Sequence, residues 1–371
     1  MRSRWSFFFA AASIASLAVA CGSSKVTTDG GTGDAAGSNV KVVTPMGQAP
    51  FCAATCAPSV TCTDPKPVNA CCVCTQAPKF EIARATGLVY YSAPNNDPTI
   101  DLSCIDSPKA KGTPQMVTVT GYVKLFSSGN DSSGVKIEIF QEGANGALGA
   151  PVGTPVITSM TDEIKMPKPT LWSKCPVDGC VLRKFTYANV PTETPLIVKT
   201  SDGLGAQKWA ELYDYNIMFS NSVVDMDGGA PSVYYEPSTV AATDLNTVAS
   251  AAGGFTIKAD RGLLAGEVHD CADVRLSGVM VNTDQKPEGD MFYFGENEAD
   301  PLPDKSRGPA GQGTSKLGLF GALNYTTGTP IHISASGLYK GQTVLVGTYT
   351  VQVFKGAVTA LSLRGRRNWQ Q

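Results

Sequence analysis

The sequence predicts a mainly β protein organised as β-sandwiches. Glycine and proline are frequent, with 38 and 24 residues in 371, and they divide the chain into short segments. From residue 116 onward, segments of five to eleven residues repeatedly alternate apolar and polar side chains, which is the pattern of half-buried strands. Long stretches with helical periodicity are few. At least seven such strands in the last third of the chain indicate a sandwich with its own core.

The N-terminus has the form of a bacterial lipoprotein signal peptide, residues 1–20. Arg2 and Arg4 precede an apolar run at 7–20 that is too short to span a bilayer. The run ends in AVAC, which predicts cleavage between Ala20 and Cys21 and acylation of Cys21, palmitate included. The third residue before the cysteine is alanine where leucine is usual. Ordinary secretion, with cleavage after Ala20 and no lipid, is the alternative.

The segment that follows, residues 21–50, is rich in small polar residues and is expected to be a flexible tether to the membrane. Ten of the eleven cysteines remain after Cys21, an even number that indicates disulfides and an oxidising compartment. We therefore expect a location in the cell envelope, at the outer membrane, facing the periplasm or the surface. The formal charge of −2 shows no basic excess, so a nucleic-acid partner is not expected.

A cysteine-rich segment, residues 51–80, precedes the predicted strands. It holds six closely spaced cysteines, at Cys52, Cys56, Cys62, Cys71, Cys72 and Cys74. A segment with so little apolar content needs disulfides to fold. A thiolate metal site is the alternative, but no clean pair of C-x-x-C elements is present. The pairing is not fixed by the sequence. Further along, Cys175 and Cys180 flank a Pro/Gly turn and predict a local loop disulfide.

The strand pattern divides the rest of the chain into a first β-sandwich at 81–235, a helical linker at 236–258 and a second β-sandwich at 259–371. Two strands separated by a proline-marked turn are predicted within 185–200. Single strands are predicted at 116–126, 135–140, 263–268, 278–283, 291–295, 316–325, 330–335, 344–354 and 357–363. A helix is predicted within 237–252, with Asp244 as its N-cap and Gly253 and Gly254 ending it. Each sandwich segment contains Gly-x-Val, then Gly-Val-x-(Val/Ile), then Phe-x-x-x-Asn with a proline six residues later. This parallel predicts a domain duplication.

In the second sandwich the pattern resembles the carboxypeptidase regulatory-like domain. The residues that carry the match are Gly266, Val268, Gly278, Val279, Val281, Phe320, Asn324 and Gly328. The resemblance covers 262–363 well and 116–200 loosely, and it implies two transthyretin-like (prealbumin-like) antiparallel sandwiches. It also implies that VQVFKGAVTALSL forms a final hairpin and that the domain is accessory and non-catalytic. Related sandwiches occur beside carbohydrate-binding modules and in adhesins. The whole layout is similar to secreted lipoproteins of myxobacterial type.

The segment GEVHDCADVRLSGV places His269, Asp270 and Cys271 side by side. They could form a nucleophile–base group, a metal site or an ordinary strand. Alternation puts Val268 on one face and Glu267 with His269 on the other, which favours a strand that continues into a hairpin ending at Gly278. Cys271 is then a disulfide cysteine, with Cys104 as a suggested partner. The other histidine, at position 332, alternates with isoleucines and is expected on a surface.

Other chemistry-bearing residues give weak signals. Asp225 and Asp227 form D-x-D-G, a fragment of a calcium loop without the downstream acid, and an Asp/Gly turn is favoured. An acidic loop holds Glu296, Glu298, Asp300 and Asp304. Paired carboxylates hydrolyse glycosides only at a fixed separation, and a solvated loop is the simpler interpretation. Aromatic residues concentrate at 90–96, 212–219, 233–237 and 291–294, where they fit core packing or stacking on sugar rings.

These observations predict a non-enzymatic, membrane-anchored lipoprotein that acts as a structural or binding module. Motifs of metalloproteases, serine hydrolases and nucleotide-binding loops are absent from the sequence, so no catalytic residue, metal or cofactor is assigned. A carbohydrate-binding lipoprotein for polysaccharide capture is the alternative, and a hydrolase with a carboxylate site is a third. Its partners would be the membrane, through the lipid anchor, and a glycan or protein at the cell surface.

Overall fold

Strands dominate the structure, as the alternation of apolar and polar residues predicts. The computed structural model describes residues 40–41, 89–90, 112–126, 131–160, 163–166, 180–206, 208–227, 229–270, 274–297, 301–307, 312–339 and 342–363. Within these ranges no helix combines the length and the hydropathy needed to span a bilayer.

The strands are short and closely spaced along the chain. Those of the N-terminal part and first half are β1 (Val40–Lys41), β2 (Val89–Tyr90), β3 (Met116–Tyr122), β4 (Lys124–Leu125), β5 (Val135–Glu142), β6 (Leu148–Ile157), β7 (Glu163–Met166), β8 (Cys180–Pro191), β9 (Leu196–Asp202), β10 (Leu212–Ile217), β11 (Asp225–Asp227), β12 (Ala230–Tyr234) and β13 (Ser238–Thr239). Those of the second half are β14 (Arg261–Val268), β15 (Leu276–Ser277), β16 (Val279–Thr283), β17 (Glu288–Phe294), β18 (Pro303–Asp304), β19 (Leu319–Thr326), β20 (Ile331–Tyr339), β21 (Gln342–Val351) and β22 (Val358–Leu363). The α-helix α1 is Ala242–Gly253, and single 3-10 turns lie at Ala144–Gly146, Asn221–Val223 and Lys305–Arg307.

The strands form three main sheets. One has five strands in the order β11-β12-β3-β8-β7, one has four in the order β1-β21-β20-β16, and one has nine in the order β18-β17-β19-β14-β22-β10-β9-β5-β6. Two pairs, β13-β4 and β15-β2, stand apart. The nine-stranded sheet crosses from the second half to the first through a parallel pairing of β22 with β10, in which Leu212 lies opposite Val358.

The two halves repeat one arrangement of seven strands. In the first half β12-β3-β8-β7 are neighbours, and in the second half β22-β14-β19-β17 are neighbours in the same sense, with the first pair parallel and the others antiparallel. In the opposite sheets, β5-β9-β10 correspond to β16-β20-β21, all antiparallel. The sequence parallel between the halves therefore coincides with equivalent strand pairings.

Two glycines have the same structural role in the two halves. Gly121 of β3 faces Phe185 across the sheet, and Gly266 of β14 faces Phe320 in the same way. A Cβ at Gly121 would lie 1.8 Å from the Tyr235 carbonyl oxygen, and one at Gly266 would lie 2.3 Å from that of Leu361. Both glycines thus admit the close approach of a parallel neighbouring strand.

Two asparagines mark equivalent irregularities. Asn189 in β8 and Asn324 in β19 have φ of 63° and 56°, and each lies where the register with the neighbouring strand shifts. Asparagine tolerates this left-handed conformation better than most residues. The Asn324 amide also holds the local chain, because its Nδ2 donates to the Thr256 carbonyl (2.9 Å) and its Oδ1 accepts from the Lys258 amide (3.0 Å).

Apolar side chains collect in three clusters. One lies between the sheets of the first half and includes Val119, Ile137 and Tyr187, and another lies between those of the second half and includes Val281 and Tyr349. This is the core arrangement of a sandwich. The third cluster packs at the junction of the halves, among residues of β10, β14, β17, β19 and β22, and α1 contributes Ala249 to it.

Several sequence expectations were wrong in detail. Between Gly266 and Gly278 the local pairing is limited to an antiparallel bridge of His269 with Arg275. The strands on either side do not pair with each other, because β14 pairs with β19 and β22 whereas β16 pairs with β20 in another sheet. The final segment is not a hairpin either, since β21 and β22 lie in different sheets. The sheets are also not purely antiparallel, as β3 with β12 and β14 with β22 are parallel. Consecutive strands that were expected to pair, β14 with β16 and β21 with β22, therefore lie in different sheets.

The predicted helix is present, but it begins differently. It starts at Ala242 with Ala241 as N-cap and no side-chain cap, so Asp244 lies in the first turn instead of capping it. Gly254 ends the helix in the left-handed conformation, with φ of 78°. An acidic residue in the first turn still complements the helix dipole.

Several predicted positions lie outside the described residues. They are the signal and lipidation residues Ala20 and Cys21, the cluster at Cys52, Cys56, Cys62, Cys71, Cys72 and Cys74, and also Cys104, Cys175 and Cys271. Cys180 begins β8 and pairs with Met166 in β7. The predicted disulfides and the acylation of Cys21 therefore remain predictions. Within the expected tether, Val40 and Lys41 form β1, which runs parallel to β21.

Candidate functional site

A recess lies where the two halves join, and we call it the junction groove. Its volume is about 600 Å³, and its lining comes from β10, β14, β17, β19, β22, α1 and the segment 234–240. The groove follows from the strand pairing. Because β22 joins β14 to β10, one continuous sheet face underlies both halves.

Small side chains make the floor of the groove. Across neighbouring strands Asp214 lies opposite Ala360, Ala360 opposite Ala265, and Ala265 opposite Gly321. Side chains at paired positions share a face of the sheet, so this row presents one carboxylate, two alanines and a glycine, and the Phe292 ring covers the glycine. The row on one side is larger and apolar, with Leu212 and Leu263 both opposite Val358. A depression in the sheet face results.

A charged cluster borders one end of the groove. The Nε2 atom of His269 lies 2.7 Å from Oε2 of Glu267, and the Nε and Nη2 atoms of Arg275 donate to the two oxygens of the same carboxylate at 3.2 and 3.1 Å. Glu267 and His269 are two positions apart at the end of β14, so they point to the same side, as the alternation predicts. Val268 between them is fully buried on the opposite face.

The partners of Glu267 determine its charge. Burial raises the pKa of its carboxyl group, but the hydrogen bond with His269 and the positive charge of Arg275 outweigh that effect and lower the pKa to about 2. Glu267 is therefore a carboxylate throughout the neutral range. A general acid needs a pKa near the working pH, so this carboxyl group is suited to holding Arg275 and His269 in place.

Two more polar pairs line the groove. The hydroxyl of Tyr235 donates to Oδ2 of Asp214 at 2.8 Å, and Lys124 forms an ion pair of 2.6 Å with Glu236. Burial, followed by the charge of Asp214, raises the pKa of Tyr235 well above its usual range, so its hydroxyl stays protonated and keeps donating. The charged side chains at this site are thus engaged with neighbours of opposite charge or with hydroxyl donors.

Most of the aromatic residues that the sequence offered as candidates pack in the core. Tyr215 and Tyr293 are fully buried, and Phe294 is 2% exposed. Tyr234, which lines the groove, is different because it is 60% exposed. Its ring centre lies 6.3 Å from that of Tyr122, with the planes tilted by 57°. The segment 90–96 lies outside the described residues except for Tyr90 in β2.

The second histidine is placed as the sequence indicates. His332 lies between the buried Ile331 and Ile333 and is about a third exposed. Its Nδ1 atom is 2.9 Å from Oγ1 of Thr350, and its backbone amide donates to Asp284 at 2.9 Å. His332 and His269 lie on different sheets, so the structure does not bring the two histidines to one site.

The acidic segments do not assemble a metal site among the described residues, where no three His, Cys, Asp or Glu side chains converge. Asp225 and Asp227 lie in strand β11, and Asp225 accepts from the Met226 amide. Glu296 forms ion pairs with Arg307 (3.1 Å) and Lys316 (3.7 Å). Asp304 caps the 3-10 turn by accepting from the amide of Ser306. Glu298 and Asp300 fall outside the described residues.

Sequence reasoning missed the residues that complete the groove. Asp214 and Arg275 looked like ordinary polar positions of a strand and a turn, because their partners are far along the chain or on another element. One signal was available: Ala265 and Ala360 are small residues in the middle of otherwise bulky strands. Such positions indicate close approach or an unfilled surface.

Comparisons with known proteins do not identify a family for this chain. No family model and no curated protein matches the chain. Among solved structures, the chain is similar to a streptococcal ancillary pilin (10% identity, 68% of this chain and 69% of that one, TM-score 0.18) and to the SpaE basal pilin of Lactobacillus rhamnosus GG (8% identity, 65% and 86%, TM-score 0.15). At these TM-scores the likeness supports no conclusion about this chain.

Proposed function

We propose that the protein is a non-enzymatic lipoprotein of the bacterial cell envelope, in which two transthyretin-like sandwiches form one structural and binding module. The seven-strand arrangement shared by β3–β12 and β14–β22 supports a duplication. The nine-stranded sheet that joins the halves supports their acting as one body, because a continuous ladder of backbone hydrogen bonds resists relative motion.

The engagement of Glu267 is the single observation that carries the non-enzymatic proposal. Of the three residues that looked most like a catalytic group, His269 has its Nε2 atom 2.7 Å from the Glu267 carboxylate, which also binds Arg275. A histidine acting as a general base would need a nucleophile within hydrogen-bond reach. Here its Nε2 atom is directed at an ionised carboxylate, which supports a role in fixing the turn after β14.

The proposed absence of catalysis can be tested by measuring turnover before and after replacement of the acidic residues. Purified protein is expected to give no turnover of polysaccharide or peptide substrates. Turnover that disappears in Glu296→Gln or Asp304→Asn, both on the acidic segment, would establish the hydrolase alternative and contradict the proposal. Asp260→Asn is a matched control, because Asp260 is an exposed acid outside that segment.

The lipid anchor is the part of the proposal that concerns Cys21. Mass spectrometry of protein extracted from membranes is expected to find an N-terminal peptide that begins at Cys21 and carries acyl groups. Cys21→Ser should release the protein into the soluble fraction, whereas the neighbouring Ser23→Ala should not. An unmodified Cys21 at the mature N-terminus would contradict the anchor and leave ordinary secretion.

Carbohydrate binding is the second candidate, and Tyr234 is the observation that favours it. An exposed ring beside Tyr122, with Glu236 and Lys124 close by, offers a face for stacking and groups for hydroxyl recognition. Binding on a glycan array that is lost in Tyr234→Ala would favour this candidate. Met226→Ala is the control, because Met226 is equally exposed but does not line the groove.

A further inference from the structure

We infer that the junction groove binds a single-chain amphiphile whose alkyl tail lies on the alanine floor and whose head group carries no net charge. The inference deepens the proposed binding role and rests on it. The lining of the groove has an apolar interior and a polar border. Its large apolar residues, such as Leu263, Phe292 and Leu319, are each less than a tenth exposed. At the border, Tyr234 is exposed, and Lys124 and Glu267 are partly exposed.

The floor favours a narrow flexible tail. Ala265 and Ala360 are only partly buried, pack against a cluster of buried apolar residues and line the recess. At about 600 Å³ the recess is in the range of ligand pockets. Burial of an alkyl chain against aliphatic walls is favourable in proportion to the apolar area removed from water. A sugar ring in the same place would leave hydroxyl groups without partners, which is costly.

The border favours a head group without net charge. Positive groups (Lys124, Arg275) and negative groups (Glu236, Glu267) alternate there, and each is already close to a group of opposite charge. Asp214 adds a further carboxylate beside the Tyr235 hydroxyl. A purely anionic head group would be repelled by these carboxylates, and a purely cationic head group would be repelled by Arg275. A zwitterionic or neutral polar head can be accommodated by both signs.

The test uses the full chain carrying Cys21→Ser, so that no acyl group of its own can occupy the groove. The neutral dye 1-N-phenylnaphthylamine is expected to bind saturably, with a rise in fluorescence, and submicellar dodecylphosphocholine is expected to displace it. Ala265→Leu and Ala360→Leu fill the floor and should weaken dye binding about tenfold. Ala150→Leu, an exposed alanine of β6, is the matched control and should bind as the parent does.

Folding of each variant is checked by its thermal transition, and the smaller change Ala265→Val should give an intermediate loss if the leucine variants do not fold. Fluorescence that does not saturate, or equal affinity in all variants, would overturn the inference. So would displacement by laurate as effective as that by dodecylphosphocholine, or displacement by maltohexaose, which would assign the groove to sugars. Acylation of Cys21 is measured separately, so failure here leaves the lipoprotein proposal to its own test.

Discussion

Thr158 and Thr314 make the same four hydrogen bonds in the two halves of the chain. Each side-chain hydroxyl accepts from a valine amide, Val135 (2.9 Å) or Val279 (3.0 Å), and donates to a carbonyl, that of Ser132 (2.7 Å) or Leu276 (2.8 Å). The backbone amide of each threonine donates to the carbonyl of the same valine at 2.9 Å. The backbone carbonyl of each threonine accepts from the amide of the glycine that precedes this valine, Gly134 or Gly278. Both threonines are at most 2% exposed.

Replacement of either threonine by valine should therefore have the same effect. Thr158→Val and Thr314→Val keep the side-chain shape but leave a buried amide and a buried carbonyl with one partner fewer. We expect each to lower the free energy of unfolding by about 1–3 kcal/mol, measured by urea denaturation. Thr186→Val, at an exposed position of β8, should change it by less than about 0.5 kcal/mol. Unequal losses at the two buried sites would contradict their equivalence.

Gly121 and Gly266 should not tolerate a side chain. Gly121→Ala and Gly266→Ala would each place a Cβ in contact with the backbone of the parallel neighbouring strand. We expect a loss of about 3 kcal/mol or more, or failure to accumulate folded protein. Gly295→Ala is the control, because the nearest atom to its Cβ would be 3.7 Å away. Thermal melting of the three variants tests this, and a Gly266→Ala protein as stable as the parent would refute it.

Glu267→Gln should weaken the segment that follows β14. The substitution keeps the size of the side chain but removes the charge that His269 and Arg275 share. We expect a loss of about 1–3 kcal/mol at neutral pH, seen in urea denaturation. Asp260→Asn, whose acid is exposed and 3.8 Å from Arg261, should be nearly neutral.

The contribution of Glu267 should also depend on pH. Its pKa in the folded protein is about 2, below the ordinary value of 4.5, so the folded state favours the ionised form. The contribution is complete above pH 4.5 and is lost as the pH falls from 4.5 towards 2. The difference in stability between the parent and Glu267→Gln should therefore shrink over that interval. Denaturation series at about pH 7, 4 and 3 would show it, and a constant difference would contradict the assignment.

Much of the fold followed from local patterns in the sequence. Alternation located β5, β14, β20 and β22 within a few residues, because a strand with one face in the core must alternate. The motif that contains Asn189 and Asn324 indicated equivalent positions in the two halves, and both residues have a positive φ that asparagine tolerates. The helix start was predicted less well, because Ala241 precedes it without any capping side chain.

The parts that escaped prediction depend on pairing between distant segments. Val358 lies opposite Leu212, 146 positions earlier. Neither strand has a sequence pattern that indicates the other as its partner. The groove escaped for the same reason, because Ala265 and Ala360 have meaning only once β14 and β22 are adjacent. The equivalence of Thr158 and Thr314 was not predicted either. Thr158 follows its partner Val135 by 23 residues and Thr314 follows its partner Val279 by 35, so the two threonines do not align in the sequence.

The parallel strand β22 closes two open edges at once, that of β14 and that of β10. During synthesis, β10 is complete long before residues 358–363 emerge, so the sheet edge of the first half stays unpaired until the last strand is made. Exposed edges of this kind invite pairing with other chains. A chain cut short before Val358 would therefore present two unpaired strand edges to its neighbours, and aggregation rather than simple loss of one half would be its characteristic failure.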